Sequence, residues 1–100
     1  MATDDCVVHL THAAETDLVA IAEWVTEHQG PEAARDVVRA LLAAARTLEH
    51  LPGRGRSVPT LGPGYRAIRW TAWRLIYRVD GPRVLLLRFW HDRRRPRATE

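Results

Sequence analysis

Lysine is absent from this 100-residue chain, so all fifteen basic side chains are arginine. Every cation is therefore a planar fork suited to carboxylate, phosphate or ring faces. A bias toward Arg, Ala and Val also follows from a GC-rich genome, which would remove lysine without any functional reason. Cysteine is nearly absent too. The single Cys6 can close no internal disulfide, supplies no metal cluster, and reads as a small core residue at the start of an apolar run. Histidines His9, His12, His28, His50 and His91 fall at no HxH or HExxH spacing, so neither a metal nor a cofactor is expected. No apolar run approaches the roughly 18 residues of a membrane span, and the polar, acidic start lacks a basic n-region and apolar h-region. A cytoplasmic location is expected. Acids are missing from the stretch between Glu49 and Asp80. The length suits one two-layer domain and leaves no room for a second.

What charge there is lies unevenly. Residues 1–50 hold three arginines against nine acids, net −6, and residues 51–100 hold twelve against three, net +9. A half this basic implies an acidic partner, either nucleic acid or an acidic protein segment.

Three runs rich in branched and aromatic residues fill the basic half: Tyr65 to Trp70, Trp73 to Val79 and Val84 to His91. Their connections are too short for anything but neighbouring antiparallel strands, and Asp80-Gly81-Pro82 carries turn chemistry. Alternation assigns Leu75, Tyr77, Val79, Leu85, Leu87 and Phe89 to a core face. It assigns Arg74, Ile76, Arg78, Leu86, Arg88 and Trp90 to the other, where a partner would bind. Taken singly, each of these arginines also fits a plain solvating role.

Upstream, Cys6 to Leu10 predicts a strand at a sheet edge or beside the last strand. Thr11 or His12 then opens a helix to about His28, with Ala14, Leu18, Ile21, Ala22 and Val25 on its apolar stripe and Trp24 beside it as a packing element between helices. Gly30-Pro31 ends that helix and starts a second, to about His50, with Ala34, Val37, Val38, Leu41, Ala45 and Leu48 inward. The expected fold is α+β: an N-terminal strand and an antiparallel two-helix hairpin packed on an antiparallel sheet that ends in a three-stranded meander. Residues 51–64 break every period and read as a long structureless loop. Its Gly53-Arg54-Gly55-Arg56 run could approach a phosphate, but it lacks the strand, spacing and Gly-Lys-Ser/Thr ending of a P-loop, so nucleotide hydrolysis is rejected. Residues 92–100 form a basic, charged tail.

Ala14-Glu15-Thr16-Asp17-Leu18, the Pro-started Ala-rich helix, Gly55-Arg56-Ser57-Val58-Pro59, Gly64-Tyr65-Arg66, Leu75-Ile76-Tyr77-Arg78-Val79 and His91-Asp92-Arg93-Arg94 occur in an order and spacing that resemble the RelE/ParE toxin superfamily, its ParE branch most closely. The resemblance covers residues 1–91 as a single toxin domain. It implies the toxin of a type II toxin-antitoxin pair, neutralised by a cognate antitoxin in a hetero-oligomeric complex, in a system of the plasmid-stabilising kind. ParE members poison DNA gyrase, whereas RelE members cut messenger RNA on the ribosome.

An RNA-cutting member needs a base, a phosphate-holding cation and an acid. Arg66, Arg74 and His91 are the candidates here, but the loop carboxylate and the lysines of RNase members have no counterpart. The expectation is thus a binding toxin without a catalytic site of its own. Its partner surface would comprise Arg56, Arg66, Arg69, Arg74, Ile76, Arg78, Leu86, Arg88, Trp90, His91, Arg93 and Arg94, with arginine and tryptophan as interface anchors. An antitoxin would lay an acidic, amphipathic segment on this face or add a strand to a free sheet edge. A ribosome-dependent endoribonuclease and a toxin degenerated to a mere interaction partner are the alternatives. With the arginines on a sheet and no recognition helix, sequence-specific reading of DNA is not expected.

Overall fold

The computed structural model describes residues 6–92. Strand β1 (Val7–Leu10) leads into helix α1 (His12–Gln29), which turns back through Gly30 into helix α2 (Pro31–Arg46). A 3-10 turn (Thr47–Glu49) follows, then the two-residue strand β2 (Arg56–Ser57), a second 3-10 turn (Pro59–Leu61), and strands β3 (Tyr65–Trp70), β4 (Trp73–Asp80) and β5 (Arg83–His91).

The hairpin of helices forms for local reasons. Thr11 caps α1, its hydroxyl oxygen accepting from the Ala14 amide at 3.2 Å. The same hydroxyl lies 3.1 and 3.2 Å from the carbonyls of Leu86 and Leu87, and the Thr11 amide donates to Leu86 O, so the helix start is tied to β5. At the other end Gly30 adopts φ 97°, a conformation open to glycine, and serves as the C-cap of α1 and the N-cap of α2 at once. Nothing lies within 4 Å of a Cβ placed there, so backbone conformation alone requires the glycine.

The five strands lie in the order β1-β5-β4-β3-β2. The meander β3-β4-β5 is antiparallel, as its short links dictate, while β1 pairs parallel to β5, Val7 opposite Arg83 and Leu10 opposite Leu86. The sheet is therefore mixed. Both helices pack on one side of it, and Ala14, Ile21, Val25, Ala34, Leu41, Ala45 and Leu48 meet Ile68, Leu75, Tyr77, Val84, Leu86 and Phe89 in one core.

That list corrects the expected faces of β5. The ladder between β4 and β5 slips at Ile76/Tyr77: Ile76 faces Arg88 but Tyr77 faces Leu86, leaving Leu87 as an extra residue. A bulge of this kind reverses alternation along one strand. Phe89 points inward as expected, but on the far side of the bulge it is Leu86 and Val84 that are buried, and Leu85 and Leu87 are not. Leu86 is thus a core residue and no partner contact. Ile76 does lie on the side away from the helices, yet it is only 3% exposed, flanked in register by Ala67 and Arg88, and offers little surface to a partner. Val79, expected inside, is more than one-third exposed near the end of β4.

Residues 51–64 are not structureless. Beyond the two-residue β2 and the 3-10 turn, they are held from the sheet. The buried Tyr77 hydroxyl donates to Pro52 O at 2.7 Å and accepts from the Gly55 amide at 2.8 Å. Arg66 Nη1 donates to Gly55 O at 2.7 Å. The approach is so close that a Cβ on Gly55 would stand 2.5 Å from the Tyr77 oxygen. Burial pushes the Tyr77 phenol above its ordinary pKa of 10.0, and the Gly55 amide and the Arg66 and Arg54 charges offset part of that rise.

Candidate functional site

The sheet side away from the helices is the basic one. On β3 and β4 its cross-strand pairs are Tyr65 with Arg78, Ala67 with Ile76 and Arg69 with Arg74, and Arg56 on β2 lies opposite Ala67. Two guanidiniums directly opposite repel each other. Here Asp92 lies between them: Arg69 Nη2 hydrogen-bonds to Asp92 Oδ2, and Arg74 Nε is 3.2 Å from Asp92 Oδ1. The Arg74 contact lacks hydrogen-bond geometry, so Oδ1 is buried beside a charge yet accepts no hydrogen bond among the described residues. The Asp92 amide is tied to Ala72 O at 2.9 Å, which carries the β5 chain across the end of the β3-β4 turn.

Beside this triad lies a cleft of about 470 Å³, lined by Arg54, Arg56, Arg69 and Arg74 with Val58, Ala67 and Ile68. The lock on residues 52–55 sets its far wall. Arg54 is aimed by a 2.7 Å bond to the Thr47 hydroxyl, and Arg56 is exposed with no partner among the described residues.

A second hollow, of about 230 Å³, sits where β5 runs past the end of β1 and faces α1. Ile21, Trp24, Trp73, Phe89 and Trp90 line it, together with Asp17. Asp17 holds its edge, its carboxylate accepting from Arg88 Nε at 2.8 Å, Arg88 Nη2 at 2.9 Å and the Phe89 amide at 2.9 Å. The bidentate bond keeps the Arg88 pKa above its ordinary value, more than desolvation lowers it. Arg88 also lies over the Trp90 ring, 5.8 Å from its centroid, and Trp90 Nε1 is buried with no hydrogen-bond partner among the described residues. Trp24, expected between the helices, is instead 36% exposed and stacked on His28 at 4.1 Å.

The predicted partner residues thus separate. Arg56, Arg69, Arg74 and Arg78 share the open face, with Arg78 6.0 Å from the Tyr65 ring centroid. Arg66 lies opposite Tyr77 on the helix side and is spent on the loop. Arg88 is engaged by Asp17. His91 is half-buried, edge-on to Trp73 at 4.7 Å. Arg93 and Arg94 lie outside the described residues. The trio Arg66, Arg74 and His91 is not assembled: Arg66 and Arg74 are on opposite sides of the sheet, and His91, opposite Trp73, is at the other end of the ladder from Arg66. Sequence reasoning gave no role to Asp17, Tyr77 as a loop lock, or Asp92. Among the described residues no three His, Cys, Asp or Glu side chains come together as a metal site, and no helix is long and apolar enough to cross a membrane.

Comparison with known proteins places this architecture. Residues 8–96 match the family model described as the ParE toxin of the type II toxin-antitoxin system parDE. The chain belongs to the ParE toxin family. Among solved structures, this ParE-family chain is similar to the chromosomal ParDE toxin-antitoxin system from P. aeruginosa, at 26% identity and a TM-score of 0.76 over 89% of this chain and 98% of that one. It is also similar to the RelBE2 toxin-antitoxin complex from Mycobacterium tuberculosis, at 25% identity and a TM-score of 0.69 over 87% and 91% of the two chains. No curated protein sequence matches. Two helices on a five-stranded sheet are thus the RelE/ParE architecture.

Proposed function

We propose that this chain is a toxin that inhibits DNA gyrase by binding, and that a cognate antitoxin silences it in a hetero-oligomeric complex. The observation that carries the reading is the open sheet face, where four arginines are presented on a ParE-family scaffold. A poison of this type needs no reacting groups; it holds its target in an unproductive state through complementarity, and arginine is a favoured interface anchor. Separation of Arg66 from Arg74 across the sheet argues against the endoribonuclease reading. Residues 1–91 act as the toxin domain and 92–100 as its basic tail, in the cytoplasm where gyrase works. The antitoxin sets an apolar side chain in the tryptophan-lined hollow beside α1 and places carboxylates near the arginine face.

The test is induction of this chain alone in a bacterial host, following plasmid supercoiling and gyrase-linked DNA breaks beside the integrity of a reporter messenger RNA. Breaks with intact RNA support the proposal. Ribosome-dependent RNA cuts with normal supercoiling overturn it, and unaffected growth marks a degenerate copy.

A further inference from the structure

Asp92 lies between two guanidiniums that face each other across β3 and β4. Its two oxygens meet two different guanidiniums, Arg69 through Oδ2 and Arg74 through Oδ1, as the two non-bridging oxygens of a phosphodiester would. The guanidiniums are open: the side chains of Arg69 and Arg74 are 54% and 40% exposed, while that of Asp92 is 29% exposed with its Oδ1 buried, and rotation of this one aspartate side chain would vacate the place between the cations. Arg54 and Arg56 extend the cationic lining along the same cleft.

We propose that this cleft binds the phosphodiester backbone of duplex DNA, and that Asp92 is its resident competitor, which must leave Arg69 and Arg74 before a phosphate can enter. The inference deepens the gyrase reading, since it makes the DNA held by gyrase a direct partner of the toxin. Duplex is favoured over single strands because no aromatic ring among the described residues lines the cleft, and single-strand sites stack bases on such rings. Backbone contact without base reading suits guanidiniums spread over a sheet face rather than carried on a helix that enters a groove. An acidic protein segment would need apolar pockets between the charges, and here the apolar groups among four arginines are Val58, Ala67 and Ile68, the last almost wholly buried in the core.

The experiment measures anisotropy of a fluorescein-labelled blunt duplex of about 20 base pairs titrated with the full chain over a range of salt, with no gyrase present. Asp92→Asn should tighten binding about 3- to 10-fold and steepen the salt dependence, because each freed phosphate contact adds roughly 0.9 to the slope of log K against log salt. Asp36→Asn, which makes the same change of net charge on the exposed outer face of α2, should leave binding near wild type. Arg56→Ala removes no side-chain hydrogen bond or ion pair among the described residues and should weaken binding several-fold, so it reads the cleft even where Asp92→Asn disturbs the strand end. Joining Arg69→Ala and Arg74→Ala should abolish the effect of Asp92→Asn. Equal gains from Asp92→Asn and Asp36→Asn, or no loss from Arg56→Ala, overturn the proposal. So does displacement of the duplex by a polyglutamate peptide at matched charge as readily as by unlabelled DNA. Duplex binding with unaffected gyrase would remove only the gyrase reading, and gyrase poisoning by a variant that no longer binds duplex would remove only this one.

Discussion

Two aspartates hold arginines in this molecule, and they do so in different ways. Asp17, on α1, has a side chain only 14% exposed, with three hydrogen bonds that join the helix to both the side chain of Arg88 and the backbone of β5. Asp92, past the end of β5, has twice that exposure, and it bridges two guanidiniums that are themselves open to solvent. The chemistry is the same and the surroundings differ. A carboxylate withdrawn from water, with its oxygens committed to a strand edge, is a strut; one at a solvated rim is an occupant that another anion can replace.

Asp17→Ala should break the comparison most sharply. It strands a partly buried guanidinium and the Phe89 amide together, and a loss of about 2–4 kcal/mol is expected in urea unfolding. A loss no larger than that of a surface mutation would mean that water already serves these groups. Tyr77→Phe comes next. It leaves the buried Gly55 amide and Pro52 carbonyl without their shared partner, for about 1–3 kcal/mol, and should loosen the wall that carries Arg54 and Arg56. The sign of its pH dependence is fixed by the raised phenol pKa. The folded protein holds that proton more tightly than the unfolded chain, so the stabilisation is complete below about pH 10 and is lost as pH rises through the folded value. Thermal unfolding scans between pH 8 and 11 should show that alkaline loss in the wild type and less of it in Tyr77→Phe. Asp92→Asn should matter least for stability, under about 1 kcal/mol in the same unfolding assay, because exposed pairs contribute little and are screened. A loss rivalling that of Asp17→Ala would make Asp92 a strut as well.

The sequence and the structure agree where local periodicity decides. The stripe from Ala14 to Val25, the Gly30-Pro31 break and the short meander links place both helices and three strands without knowledge of their neighbours. They part where a decision is made at a distance. One extra residue in β5 sends Leu86 inward, and nothing near Leu86 announces the bulge, since it arises in the pairing with β4. The glycine-rich stretch looked unordered because what orders it is Tyr77, 22 positions beyond Gly55. Asp92 read as the first residue of a charged tail, since its partner Arg69 lies 23 positions back. Cation positions on β4 were legible from alternation; on β3, Arg66 was grouped with Arg69 although an odd spacing sets them on opposite faces, and which cations are already occupied was not legible, because that depends on carboxylates brought in by other elements.

The parallel pairing of β1 with β5 bears on when the arginine face takes shape. Thr11 and its strand find their neighbour in β5 some 75 positions later, so the first strand of the sheet has no place to dock until β5 has been made. During synthesis the ribosome carries a helical hairpin with nothing to cover its apolar side, and the arginines of β3 and β4 emerge before their sheet is complete. The arginine face is therefore finished only when β5 has paired with both β4 and β1, so whatever reads that face meets it after β5 is made and not along the way.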